Sequence, residues 1–257
     1  MTPEKIFISI STIVRNEVGR IFRVWKQNFI PPIVTTVLYF VIFGYFIGSQ
    51  IARIDGLTYI QFIVPGLVML ALIMGSFSQT LFTLSMSKFF KTIEELLVSP
   101  MPMWGIVTGF VLGGIARGFC VGFVILLSSL FFTTLPIPHP FIAILFALLS
   151  ALLFSLGGLV AATYAKDFDS MSIIPNFVLT PLTYLGGIFY SIKLLPDIWQ
   201  QVSLLNPILY MINGLRYGLT GVSDMPVSIA SLVLVVLNII MFAWVVYLFK
   251  IGKGIRT

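Results

Sequence analysis

Few residues in this sequence could do chemistry, and their spacing narrows the choice further. His139 and Cys120 are each the only residue of their kind. His139 stands between Pro138 and Pro140, and a lone imidazole has no second ligand with which to hold a metal. Cys120 lies inside an apolar run, cannot form an internal disulfide and reads as packing. No phosphate loop of the Gly, four residues, Gly-Lys, Ser or Thr type is present, so the chain is not expected to hydrolyse ATP by itself. Gly252-Lys253-Gly254 is only a basic tail. Neither a Gly-x-Ser-x-Gly elbow nor a His-Glu-x-x-His pair occurs. Arg117 is the one ionisable residue within the long apolar runs, and every Asp and Glu falls outside them. That argues against catalysis, and against a proton- or sodium-coupled carrier, which needs carboxylates or histidines at membrane depth. No catalytic residue and no metal site is therefore expected.

The elements that must position these residues follow from composition. Of 257 residues, 58% are hydrophobic and 9% are charged, and the mean hydropathy is +1.07. So few charges could not cover a soluble domain of this size. The expectation is an all-α membrane protein, which excludes a cytosolic enzyme, a nucleic-acid binder and a disordered chain. Charge-free intervals of about 20 residues or more give six spans, near 30–50, 58–86, 104–132, 141–164, 171–190 and 227–249. No cleavable leader is expected. Six spans put both termini on one side. If that side is cytoplasmic, the inside segments hold 11 basic residues and the outside segments three, Arg53, Lys193 and Arg216. The split places both termini in the cytoplasm and explains the formal charge of +6 without nucleic acid.

Two stretches are neither spans nor simple loops. In residues 1–29, Phe7, Ile10, Val14, Val18, Ile21, Trp25 and Phe29 recur at helical spacing opposite a basic face. The pattern predicts an amphipathic helix in the cytoplasmic interface with Trp25 at headgroup depth, ahead of a single six-span domain over 30–257. Residues 191–224 are broken by Pro196, Asn206-Pro207, Asn213-Gly214 and Gly218, with short apolar segments between. They read as an external re-entrant hairpin carrying Asn206, Pro207, Asn213 and Arg216.

The second cytoplasmic segment, Lys88 to Pro102, has helical periodicity and a Pro-x-Pro stop. A short helix there with Lys91, Glu94, Glu95, Leu96, Leu97 and Pro100 would present apolar and acidic groups to a groove on another protein, or would simply link two spans. Span three carries Gly114, Gly118 and Gly122 at intervals of four, with Gly109 and Gly113 as a further pair. Span four carries Ala143, Ala147, Ala151 and Ser155. Small residues so spaced serve close helix packing within one chain or a dimer-facing surface. Arg117 costs at least ~2.5 kcal/mol at mid-span unless paired or hydrated. It is either bonded to backbone carbonyls or set to contact an anionic headgroup or cargo in the pathway.

The run from Ile93 to Pro100 resembles the coupling-helix segment of type-2 ABC transporter permeases. So do Pro181 to Tyr190, Leu205 to Gly218, the N-terminal Arg-x-Trp and Phe62 to Leu67. The likeness covers nearly the whole chain and is greatest to small bacterial inner-membrane exporter permeases of unassigned cargo. It implies a homodimer in the membrane, in contact with lipid. It also implies a separately encoded ATPase subunit that carries ATP and Mg, so that this chain needs no cofactor. The 88–103 segment would be the coupling helix, 1–29 the connecting helix and 191–224 the external hairpin. Cargo would be amphipathic, lipid-linked or drug-like. The rival readings are an ATP-independent secondary transporter or channel, a lipid-acting membrane enzyme and a scaffold.

Overall fold

The computed structural model describes residues 2–48, 53–252 and 254. Lys253 and Arg256, two of the cations that weigh on orientation, lie outside them. The described chain is helical, with one isolated bridge between Ile54 and Leu57. In order come α1 (Pro3–Arg23), α2 (Trp25–Tyr39), α3 (Tyr59–Phe89), α4 (Thr92–Val98), α5 (Met103–Ser129) and α6 (Pro140–Tyr164). Then follow α7 (Ser170–Ile173), α8 (Thr180–Tyr184), α9 (Asp197–Leu204), α10 (Pro207–Thr220) and α11 (Val227–Ile251). Wider π-type turns extend α2 over Phe40–Ile47 and join α7 to α8 over Ile174–Leu179.

Among the described residues, five helices are long and apolar enough to cross a membrane, not six. They are Trp25–Gly44, Tyr59–Phe89, Met103–Ser129, Pro140–Tyr164 and Val227–Ile251. The sixth expected span, 171–190, is a helical run that ends at Tyr184 and comes in three pieces. Its 15 residues, Ser170–Tyr184, reach about 22 Å at 1.5 Å per residue, short of a hydrocarbon core of about 30 Å. Pro175 and Pro181 each remove a backbone donor from the ladder, and the Thr180 hydroxyl turns back to the Pro175 carbonyl at 2.9 Å. Asp167 opens this run. Its carboxyl sits below the usual range because the Ser170 backbone N–H, at 2.8 Å, and the Ser170 side chain bond to it.

The bundle is built around α3, which is buried along most of its length between α5 and α6. Thr58 and Gln61 start α3 with a reciprocal capping box. The glycines of α5 let neighbouring backbones approach closely. A Cβ on Gly118 would collide with Ser76 and the Leu72 carbonyl of α3, and one on Gly114 with Thr80 and Ser155. On α6 the Thr80 hydroxyl of α3 donates to the Ser155 carbonyl at 2.8 Å. The small-residue ladders therefore pack helices within this one chain.

The first helix departs from its expected setting. It ends at Arg23, and Val24 breaks it with φ −111° and ψ 37°, so Trp25 opens α2 instead of closing the amphipathic helix. Its inward stripe is Ile10, Ile13, Glu17 and Ile21, while Phe7 and Trp25 point outward. Ile13 seats on Gly109 of α5 and Glu17 on Gly113, so the second glycine pair forms a notch for α1.

Candidate functional site

At its C-terminal end α3 runs through Lys88 and Phe89 into the short helix α4. Lys91 takes a left-handed φ of 59° to turn the chain between them. The Lys88 ammonium donates to the carbonyls of Ala162 at 2.7 Å, Thr163 at 3.2 Å and Ala165 at 3.2 Å. It thereby satisfies the open carbonyls at the end of α6 and meets the negative end of that helix. Ile93 anchors α4 in the core, and Leu96 and Leu97 lean on it half-buried. The outer face holds Lys91, Glu94, Glu95 and Pro100, with Phe90 70% and Val98 87% exposed. Phe90 and Val98, not the Leu pair, are thus the apolar groups most open on this face.

A second constellation lies deeper, where α1, α3 and α5 meet. The Glu17 carboxylate accepts from Gln79 at 2.8 Å, from Thr83 at 2.8 Å and from Arg20 at 2.5 Å. Arg20 also reaches the Thr83 hydroxyl. The other end of the Gln79 amide accepts a long hydrogen bond from Arg117 at 3.4 Å, so Gln79 bridges the mid-span cation to an acid on the first helix. Arg117 Nε is buried with no hydrogen-bond partner among the described residues. Arg117 lines two adjoining cavities of about 510 and 550 Å3, both of which also touch Gln27, Asn28 and Ser78. The first rises between α2, α3 and α8 toward Tyr39 and Tyr184, whose hydroxyls meet at 2.5 Å. Phe43 and Phe189 stack beside that pair, with ring centres 4.5 Å apart.

A third constellation sits at the opposite end. Asn206 caps α10 by accepting from the Ile208 N–H at 3.0 Å, and its amide donates to the Leu182 carbonyl at 2.6 Å. Pro207 fills the first helical position, where a missing N–H costs nothing. The Asn213 side-chain oxygen accepts from the Asp224 N–H at 2.9 Å. Arg216, 1% exposed, donates to the Gly187 carbonyl at 2.6 Å, lies 3.9 Å over the Phe62 ring and stands 3.5 Å from the Asp224 carboxylate. Ser191 and Lys193 approach the same carboxylate at 2.6 and 3.8 Å. The His139 ring stacks on Tyr217 at 4.8 Å, and the His139 backbone N–H donates to the Gly218 carbonyl at 3.1 Å. Gly214 and Gly218 leave no room for a side chain against Phe146 and Ala143 of α6.

The expected site residues thus fall into three separate groups. Lys91, Glu94, Glu95, Leu96, Leu97 and Pro100 share the turn between α3 and α5. Arg117 lines the two cavities, and Asn206, Pro207, Asn213 and Arg216 share the cluster on α10. Sequence reasoning passed over Glu17, Arg20, Gln79 and Asp224. The signal for Glu17 was its place on the line Ile10, Ile13, Ile21, an acid in an otherwise apolar stripe. Among the described residues no group of three or more His, Cys, Asp or Glu could hold one metal ion.

Comparison with known proteins adds a family. The family model described as ABC-2 type transporter matches residues 8–220. The chain is 44% identical over 251 residues to the inner membrane transport permease YadH of Escherichia coli K12, covering 98% of both chains. It is 26% identical over 180 residues to nodulation protein J of Sinorhizobium fredii, covering 67% of this chain and 66% of that one. To nodulation protein J of Rhizobium leguminosarum it is 22% identical over 214 residues, covering 77% and 81%.

Proposed function

Since the chain belongs to the ABC-2 type transporter family as a multi-pass permease subunit, we propose that it forms the pathway of an ATP-driven exporter in a bacterial inner membrane. Two copies pair, and each rests on a separate ATPase subunit that carries ATP and Mg. Both termini lie in the cytoplasm. The broken run α7–α8 makes the sixth crossing together with the chain that follows it to Tyr190, its irregular backbone kept at membrane depth because protein and a cavity cover it.

The observation that carries this reading is the exposed face of α4. A seven-residue helix cannot hold itself together in water, and this one is pinned by Ile93 and by the turn that Lys88 ties to α6. It presents two carboxylates and two large apolar side chains outward, the mixture that a groove on a partner protein recognises. Force applied there reaches α3 directly and α6 through Lys88. The cavities beside Arg117 supply a polar route between α2, α3, α5 and α8, and their mixed lining suits amphipathic, lipid-linked or drug-like cargo.

The test is a mild-detergent pull-down of the tagged chain from native membranes, with ATP hydrolysis read on the eluate. A stoichiometric ATPase is expected. Glu94→Arg combined with Val98→Asp should release it while leaving the chain inserted. A chain that purifies alone after crosslinking, or a double variant that keeps its ATPase and its activity, would overturn the coupling assignment. ATP-independent uptake by liposomes carrying the chain alone would replace it with a secondary transporter or channel.

A further inference from the structure

The lower cavity has a charge imbalance built into its wall. Its lining includes two guanidinium groups, Arg20 and Arg117, and no carboxylate. The one acid in contact with them, Glu17, sits behind Gln79 and Thr83 and already accepts three hydrogen bonds. Two cations share one carboxylate, and the cluster keeps one uncompensated positive charge at a site walled by helices. Arg117 has a buried Nε with no partner and a single long bond to Gln79. A guanidinium offers five donors in a fork that matches phosphate or carboxylate oxygens. Arg216 leaves Nε unpartnered too, but has Asp224 at 3.5 Å; what sets Arg117 apart is that it faces a cavity with no carboxylate in its wall, and an anion there would balance the charge.

The rest of the wall says what carries that anion. Ile21, Leu81, Met171 and Pro175 are apolar. At the mouth, Val24, Phe82 and Phe168 are 39%, 48% and 61% exposed. Phe82 lies seven residues from the end of α3, about 10 Å from the cytoplasmic face by helical rise. A polar head could reach both arginines while an apolar tail left past Phe82 and Phe168 into the inner leaflet.

We infer that this cavity is a binding site for the net-anionic phosphate head of an amphiphile entering from the cytoplasmic leaflet, one whose charge no choline or other cation of its own cancels, held between Arg117 of α5 and Arg20 of α1 and oriented through Gln79 and Glu17. The inference rests on the permease reading and names the cargo class that the reading left broad. It also gives the first helix a place in the site. Glu17 acts as a positioning residue, since it holds Arg20 and fixes the Gln79 amide with its oxygen toward Arg117.

The test uses the full-length chain purified in detergent with whatever subunit accompanies it. Native mass spectrometry then reads occupancy by dioleoyl phosphatidic acid, dioleoyl phosphatidylcholine and inorganic phosphate. Phosphatidic acid should bind best. Arg117→Gln and Arg20→Gln should each weaken it about ten- to a hundredfold, the loss of a charge-assisted hydrogen bond. Arg117→Lys, which keeps the charge and the fold, should lie between them and the parent. Equal occupancy by the two lipids, or phosphatidic acid binding unchanged in both Gln variants, would overturn the site. Inorganic phosphate binding as tightly as phosphatidic acid would overturn the amphiphile. The ATPase pull-down on the same samples separates the two ideas. Variants that keep the ATPase but lose phosphatidic acid support the site alone, and a chain that binds the lipid through its arginines without any ATPase defeats only the coupling.

Discussion

Arg216 and Arg117 are both arginines removed from bulk water, and their surroundings are opposite. Arg216 is closed in by an aromatic face, a backbone carbonyl and the Asp224 carboxylate, with α10 pressed so tightly on α6 that Gly214 and Gly218 admit no side chain. Arg117 faces open cavities and reaches its nearest acid only through an amide. Both guanidinium groups leave Nε without a hydrogen-bond partner among the described residues, so the difference lies in the nearby carboxylate and not in the count of bonds. A buried cation whose charge is balanced by a carboxylate of its own chain is part of the architecture. A cation that faces a cavity with no carboxylate in its wall is set for an anion that arrives later.

That contrast can be broken or sharpened by substitution. The largest effect is expected from Arg216→Ala, which strands Asp224 in a buried site. It should cost about 3–5 kcal/mol, seen as a fall in the unfolding midpoint of the detergent-solubilised chain. Adding Asp224→Asn should recover a good part of that loss, because the two act as a pair. A single variant as stable as the parent would show that the cluster is not structural. Next comes Glu17→Ala, which removes the shared acceptor of Arg20, Gln79 and Thr83 and should cost about 1–3 kcal/mol. The first helix should then loosen, so limited trypsin digestion at Arg15, Arg20 and Arg23 should speed up. Unchanged cleavage would mean that Ile13 and Ile21 alone hold the helix. Lys88→Met should cost about 0.3–1 kcal/mol by uncapping α6, and faster amide exchange confined to its last turn would locate the effect. The smallest change in stability belongs to Arg117→Gln. It should stay within about 0.5 kcal/mol of the parent or rise above it, since a costly mid-span charge is removed. Transport, in contrast, should be lost. If Arg117→Gln unfolds the chain as Arg216→Ala does, the distinction between the two arginines fails.

The parts legible in the sequence are those set by composition over long stretches. Charge-free intervals located four helices to within three residues, because the cost of a charge in hydrocarbon leaves a plain trace, and set the first, Trp25–Gly44, five to six residues late because it begins on Trp25-Lys26. The run from Ser170 to Tyr184 carries the same composition, but Pro175 and Pro181 interrupt its ladder, and composition does not register a missing donor. The small-residue ladders were visible but not their partners, since spacing shows that a helix can approach and not which one does. Gly109 and Gly113 receive α1, whereas Gly118 receives α3. Lys88 illustrates another limit. Counting it as a cytoplasmic cation treats it as a free charge, while its ammonium is committed to three carbonyls. The polar chain from Glu17 to Arg117 draws on three helices far apart in sequence, and no local pattern joins them.

The seat of α1 on α5 also has a consequence in time. Glu17 rests on Gly113, so 96 residues of further chain, 113 less 17, must be made before its resting place exists. At about 5–20 residues per second, translation takes roughly 5–20 s to cover that distance. Through that interval the nascent first helix must wait at the membrane surface with its carboxylate in water, and it can dock only once the fifth helix has been delivered. An acid within the apolar stripe weakens the hold of lipid on that face during the interval, because a carboxylate is costly to take out of water.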